Sequence, residues 1–179
     1  VLEAAGWQVI VPRGKDTRRN LCCGRTFLSS GLIDEAKLEA GRLLENLLPY
    51  AERGVPIVGL EPSCVFTIKD ELTSLLPGPQ AQKLADHVQL LEEYLITEND
   101  AGRLSLKFRT SEPEKVLLHG HCHQKAFDAL DCTNKLLESV PGIEVETIQS
   151  GCCGMAGSFG YQAEHYQVSM EMAELSLLP

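Results

Sequence analysis

Cys-Cys-Gly occurs twice in this chain, at 22–24 and at 152–154, and no other feature limits its folding as tightly. Adjacent thiols close a disulfide with each other only under strain. A glycine directly after them lets the chain turn sharply, with φ > 0 available. Both triplets are reached by the same route. Leu2-Glu3-Ala4-Ala5-Gly6-Trp7-Gln8-Val9 precedes the first, and Leu137-Glu138-Ser139-Val140-Pro141-Gly142-Ile143-Glu144-Val145 precedes the second. Helix end, glycine turn, short apolar strand and Cys-Cys-Gly follow in one order, which predicts an internal duplication.

The stretches between the triplets alternate in character. Short apolar runs at 6–12, 56–60, 115–118 and 143–148 read as buried strands. Helical spacing of apolar residues predicts helices over 33–53, 80–95, 125–140 and 163–178, the first closed by Gly54 as a cap. A basic loop covers 13–20. The polar segment 97–114 is the expected boundary, giving units 1–108 and 109–179. Alternating strands and helices with short links indicate an α/β fold. Two similar Rossmann-like halves with parallel sheets, related by a pseudo-twofold duplication, are expected.

In such folds ligands gather where strands end and helices begin. Cys22, Cys23, Cys64, Cys122, Cys152 and Cys153 all fall at those places. The helix dipole and nearby N–H groups there lower thiol pKa and favour thiolates. Cys132 sits inside a predicted helix and reads as a small core residue. Seven cysteines, an odd number, four of them in vicinal pairs, do not make a secreted disulfide framework. A reduced cytoplasmic setting with metal or redox use of the thiols is the better reading. His119, His121 and His123 alternate around Cys122, and an extended segment would point all three one way. Zinc held by Cys122, Cys152, Cys153 and a histidine such as His121 therefore stays open. So do substrate binding or proton transfer by His121 or His123. A redox switch built on the vicinal pairs is a third reading. The glycines of 154–160 match neither a Walker loop nor a dinucleotide fingerprint. A formal net charge of -9 argues against nucleic acid as a partner, and no apolar run reaches membrane-spanning length. The chain opens on Val1 and reads as a piece of a longer protein.

Three long motifs carry a resemblance: Leu60-Glu61-Pro62-Ser63-Cys64, His119-Gly120-His121-Cys122-His123-Gln124-Lys125, and Ser150 through Gly160. The chain resembles the Cys-Cys-Gly cysteine-rich domain family, found in the B component of heterodisulfide reductase and in the iron–sulfur subunits of glycolate oxidase and anaerobic glycerol-3-phosphate dehydrogenase. It is most similar to the C-terminal part of fused FAD-linked oxidases of the D-lactate and 2-hydroxyacid dehydrogenase type. The resemblance implies a [4Fe–4S] cluster, in some members non-cubane, in each complete repeat. It assigns Cys22, Cys23 and Cys64 to a first set and Cys122, Cys152 and Cys153 to a second. Thr67 stands where the family's Cys-x-x-Cys has its second cysteine. The leading cysteine of the first repeat would precede Val1, and the closing one of the second would follow Pro179. The second set is therefore the preferred cluster site.

The function that follows is electron transfer, or cluster-assisted substrate handling, beside a flavin that oxidises a small 2-hydroxy acid. The implied partners are an FAD-containing dehydrogenase domain or subunit and an electron acceptor. The expected place is the cytoplasm, or the inner face of the membrane through peripheral association with partners. The fragment by itself is expected to be inactive. The alternative is a zinc-binding structural or partner-docking module.

Overall fold

The computed structural model describes residues 1–14, 19–104, 108 and 112–178. The chain divides into two compact units, Val1–Leu106 and Lys107–Pro179. Parts of the basic loop expected over 13–20 and of the polar boundary over 97–114 lie outside the described residues.

In the first unit, Cys-Cys-Gly opens directly into α1 (Arg25–Ser29), and α2 (Ile33–Glu52) follows. Ala36, Ala40, Leu43, Leu47 and Ala51 recur at helical spacing along α2 and are all buried. Glu39 lies on that same buried face, only 1% exposed, and pairs with Arg42 at 2.6 Å and Arg19 at 2.6 Å. A carboxylate is tolerated there because both guanidiniums accompany it. Gly54, at φ +73°, ends the helix as its spacing predicts, with its N–H on the Ala51 carbonyl at 3.0 Å.

Strand β1 (Ile57–Gly59) leads into α3 (Pro62–Phe66), a π-helical turn over Thr67–Glu71, α4 (Leu72–Leu75) and α5 (Pro79–Ala85). Strand β2 (Val88–Leu90) returns parallel to β1, Ile57 opposite Val88, before α6 (Leu91–Asp100). The core of this unit joins the α2 face to Val65, Phe66, Ile68, Leu72, Leu84, Val88, Leu90 and Leu95.

Two expectations need correction here. The single helix predicted over 80–95 is broken by β2, because the run Leu84–Leu95 meets helical spacing while β1 offers Val88–Leu90 a ladder. A short apolar run does not by periodicity alone reveal which of these it will take. The strand predicted over 6–12 is not formed. Val9, Ile10 and Val11 are exposed and pair with no described strand. Trp7 is anchored, edge-on to Tyr94 with ring centroids 5.5 Å apart.

The second unit contains β3 (Glu114–Leu118), α7 (Cys122–Ala126), α8 (Leu130–Glu138), β4 (Ile143–Thr147) and, after the second Cys-Cys-Gly, α9 (Tyr166–Glu174). β3 and β4 pair in parallel along their whole length, from Glu114 opposite Ile143 to Leu118 opposite Thr147. The helix predicted over 125–140 is two helices hinged at Asp128, whose φ is +52°. The helix predicted over 163–178 is confined to α9, preceded by 3-10 turns at Phe159–Tyr161 and Ala163–His165. Each unit thus mixes helices with one two-stranded parallel sheet. Cys-Cys-Gly precedes the strand pair in the first unit and follows it in the second. Among the described residues, no helix is long and apolar enough to cross a membrane.

Candidate functional site

The two Cys-Cys-Gly turns have the same local build. Gly24 has φ +84° and Gly154 φ +87°, values that side chains rarely adopt. The Gly24 N–H points at Cys22 Sγ, 3.4 Å away, and the Gly154 N–H at Cys152 Sγ, 3.3 Å away. Each glycine also presses on a helix backbone. A Cβ on Gly24 would lie 2.8 Å from the Ala36 carbonyl oxygen of α2, and one on Gly154 would overlap the Ser169 carbonyl of α9. Glycine is therefore required twice over at both turns, by backbone angle and by space.

In the first unit this turn delivers Cys23 to a sulfur 41 residues away. Cys23 Sγ and Cys64 Sγ lie 3.2 Å apart. Cys64 is placed at the start of α3 by Pro62 at the first helical position and by the Glu61 side chain, which accepts the Ser63 N–H at 3.1 Å. Gly59 lets β1 come close to Val65 of α3, and an Arg25–Glu71 ion pair ties α1 to the π-helical turn. Cys23 is buried at 6% exposure, whereas Cys64 and Cys22 are half-buried. The hydrogen bond to Cys64, together with burial, pushes the Cys23 thiol up. The same hydrogen bond, donated by Cys23, holds Cys64 below the ordinary thiol value, against burial and the charges of Glu61 and Cys22. Thr67, one turn further on, is fully buried, and its hydroxyl has no hydrogen-bond partner among the described residues.

In the second unit the loop entering Cys152 is held from several sides. Lys125 Nζ donates to the Ser150 carbonyl at 2.8 Å, the Ser150 hydroxyl at 3.2 Å and the Gly151 carbonyl at 3.2 Å. His119 Nδ1 meets the Ser150 hydroxyl at 2.7 Å, and the Gly151 N–H reaches Ser176 Oγ at 3.1 Å. On the far side, buried Ser169 donates its hydroxyl to the Gly154 carbonyl at 2.8 Å. Burial, then the positive charge of Lys125 and the neighbouring His121, lower the His119 pKa below the ordinary histidine value. Gly160 serves this packing as well: a Cβ there would meet Ser169 Oγ at 2.6 Å.

Cys122 is exposed at the first position of α7. The expectation that His119, His121 and His123 share one face fails, because the chain turns helical at Cys122. His121 becomes the helix cap, its Nδ1 accepting the His123 N–H at 3.2 Å, and the two rings stack with centroids 5.3 Å apart. The Gln124 side chain closes the box on the His121 N–H at 3.2 Å. Cys132 occupies the third position of α8 and is half-buried, not the core residue expected. Among the described residues, no group of three or more His, Cys, Asp or Glu side chains is arranged to hold a metal ion. What the fold does bring together, among the described residues, is Cys23 with Cys64. The supporting roles of Lys125, Ser150 and Ser169 carry no sequence signal beyond the motifs that contain the first two.

Comparison with known proteins agrees with the motif reading. Residues 116–177 match the family model of the cysteine-rich domain, CCG. The chain is 31% identical over 150 residues to the C subunit of anaerobic glycerol-3-phosphate dehydrogenase of Escherichia coli (strain K12), covering 83% of this chain and 37% of that protein. It is 26% identical to D-2-hydroxyglutarate dehydrogenase of the same organism, over 86% of this chain and 14% of that one. It is 25% identical to lactate utilization protein A of Bacillus velezensis, over 97% of this chain and 70% of that protein. The chain thus spans little more than a third of the first of these relatives. No solved structure matches it.

Proposed function

We propose, from the premise that this chain carries a cysteine-rich domain of the Cys-Cys-Gly family and is homologous to dehydrogenase subunits, that it is an iron–sulfur-binding part of a flavin-linked oxidoreductase. The observation that carries the reading is the meeting of Cys23 and Cys64 across 41 residues, at the end of a glycine turn built like that of Cys152 and Cys153. The donors suit an iron–sulfur group: soft thiols, one of them held below the ordinary thiol value by its neighbour's hydrogen bond, with Cys22 close enough to act on Cys64 electrostatically.

In this reading each unit is one Cys-Cys-Gly repeat. Cys122, Cys152 and Cys153, the preferred set, would hold a [4Fe–4S] cluster, cubane or non-cubane, and Cys22, Cys23 and Cys64 would supply the ligands of a second. Bound there, a cluster supplies one-electron transfer at a potential tuned by charge, hydrogen bonds and burial. The chain's own part is to fix the thiolates. Gly24 and Gly154 direct an N–H at the first sulfur of each pair, and Lys125 sets a positive charge on the loop entering Cys152. An N–H aimed at sulfur and a nearby cation both favour the more reduced state. His121 and His123, whose rings stack on each other next to Cys122 in the chain, are the candidates in this reading for binding substrate or carrying a proton.

Two relatives are named for 2-hydroxy acids or their use. The electron source in this reading is accordingly an FAD-containing domain or partner subunit that oxidises a small 2-hydroxy acid. The acceptor is reached at the cytoplasmic side, in solution or at the inner membrane face. Iron and acid-labile sulfide analysis with an anaerobic absorbance spectrum tests this. Iron and sulfide together, with broad visible absorption bleached by dithionite, are expected. A colourless protein with stoichiometric zinc on the same cysteines would overturn the reading in favour of a zinc module.

A further inference from the structure

We propose that Cys23 and Cys64 are a reversible dithiol–disulfide pair, closing to a disulfide whenever the first site is free of metal. Their sulfurs stand 3.2 Å apart, so a bond of about 2.05 Å needs a closure of only about 1 Å. The approach is held by structure on both sides. Cys23 is fixed by the Gly24 turn against Ala36, and Cys64 by Pro62 and the Glu61 cap at the start of α3. The Arg25–Glu71 ion pair holds α1 to the turn that follows α3. This pairing differs from a vicinal bridge within Cys22-Cys23, where ring strain opposes closure and where the Gly24 N–H already holds the Cys22 sulfur at 3.4 Å.

Exposure sets the order of events. Cys64 is half-buried and can be reached from solvent, whereas Cys23, 6% exposed, cannot meet a bulky reagent first. The oxidant class is a small-molecule disulfide such as oxidised glutathione. Cys64, its proton passed to water, attacks one of its sulfurs, the S–S bond breaks, and a glutathione thiolate leaves and takes up a proton. Cys23 then gives its proton to water and attacks the Cys64 sulfur of the mixed disulfide, expelling the second glutathione as a thiolate that is protonated in turn. Two cysteine thiols lose two electrons and two protons, and one oxidised glutathione becomes two reduced ones. If the first set holds a cluster as proposed above, this bond withdraws Cys23 and Cys64 from it and closes that site to loading.

The test strips the protein of metal with chelator and reductant under anaerobic conditions, removes both, and adds oxidised glutathione. Intact mass and peptide mapping are the readouts, and neither depends on iron binding. Loss of two hydrogens, a Cys23–Cys64 crosslink and its reversal by dithiothreitol are expected. Cys23→Ser should stop at one glutathionyl group on Cys64. A Cys22–Cys23 crosslink, a Cys64 that stays reduced, or a stable glutathionyl adduct on wild-type Cys64 would overturn the proposal. The wild-type map decides even if the variant fails to fold. A protein that forms the bond yet takes up no iron when reduced would refute the cluster reading and leave the disulfide standing.

Discussion

Gly24→Ala separates the cost of a backbone angle from the cost of lost space. Gly31, seven positions on, is its control: φ is +74° there and +84° at Gly24, but a Cβ at Gly31 meets nothing within 4 Å. Alanine at Gly31 should therefore cost only the left-handed backbone penalty, about 1–2 kcal/mol. At Gly24 the same penalty applies, and the added Cβ also sits 2.8 Å from the Ala36 carbonyl oxygen, a backbone atom inside α2 that cannot swing away. Forced repacking of this kind costs about 1–3 kcal/mol more. The total for Gly24→Ala is then about 2–5 kcal/mol, roughly double the control or more. Trp7 is the single tryptophan of the chain and packs on Tyr94, so its fluorescence reports unfolding of the first unit. With a urea slope of about 2 kcal/mol per molar, Gly24→Ala should unfold about 1 M earlier than wild type or more, and Gly31→Ala about 0.5–1 M earlier. Equal midpoints for the two variants would refute the argument that the first Cys-Cys-Gly turn is pinned against α2.

Cys152→Ser in the full-length protein should abolish iron at the second site and electron transfer to an external acceptor, while Cys132→Ser leaves iron nearly unchanged; equal iron loss in anaerobic metal analysis would sink the ligand assignment. In the metal-free protein, iodoacetamide should label Cys64 with a pH midpoint below the ordinary 9.0, because the Cys23 hydrogen bond stabilises the thiolate. Cys23→Ala removes that donor and should move the midpoint back up, and mass-resolved labelling against pH checks both. Lys125→Met deletes the donor to three acceptors on Ser150 and Gly151. It should cost about 1–3 kcal/mol, the value of a charged hydrogen bond shared with solvent, and speed amide exchange at Gly151 and Gly154; exchange unchanged at both would show that Lys125 does not hold the loop.

Local pattern was enough for several elements. Apolar residues from Ala36 to Ala51 outline the α2 face, and Gly54 ends it, since helical spacing and a left-handed cap are properties of neighbouring residues. β3 and β4 were legible for the same reason, each a compact apolar-alternating run between turns. The six candidate cysteines stood out through residue type and their places at element ends, and the matched family model spans Cys122, Cys152 and Cys153.

Whatever needed a distant partner was not legible. Val88–Leu90 became a strand because β1 lay beside it, and Val9–Val11 did not, because no described strand supplies the second half of a ladder. The histidine alternation broke when Cys122 began a helix, which turned His121 into a cap. By itself the sequence determined which residues can do thiolate chemistry and that a glycine turn follows each vicinal pair, since those depend on residue type and short-range sterics. Only the tertiary structure decided that Cys23 meets Cys64, that Gly24 rests on Ala36 and Gly154 on Ser169, and that Lys125 holds the Ser150 loop. Those contacts join residues between 12 and 41 positions apart, where chain folding and not local spacing sets the distance.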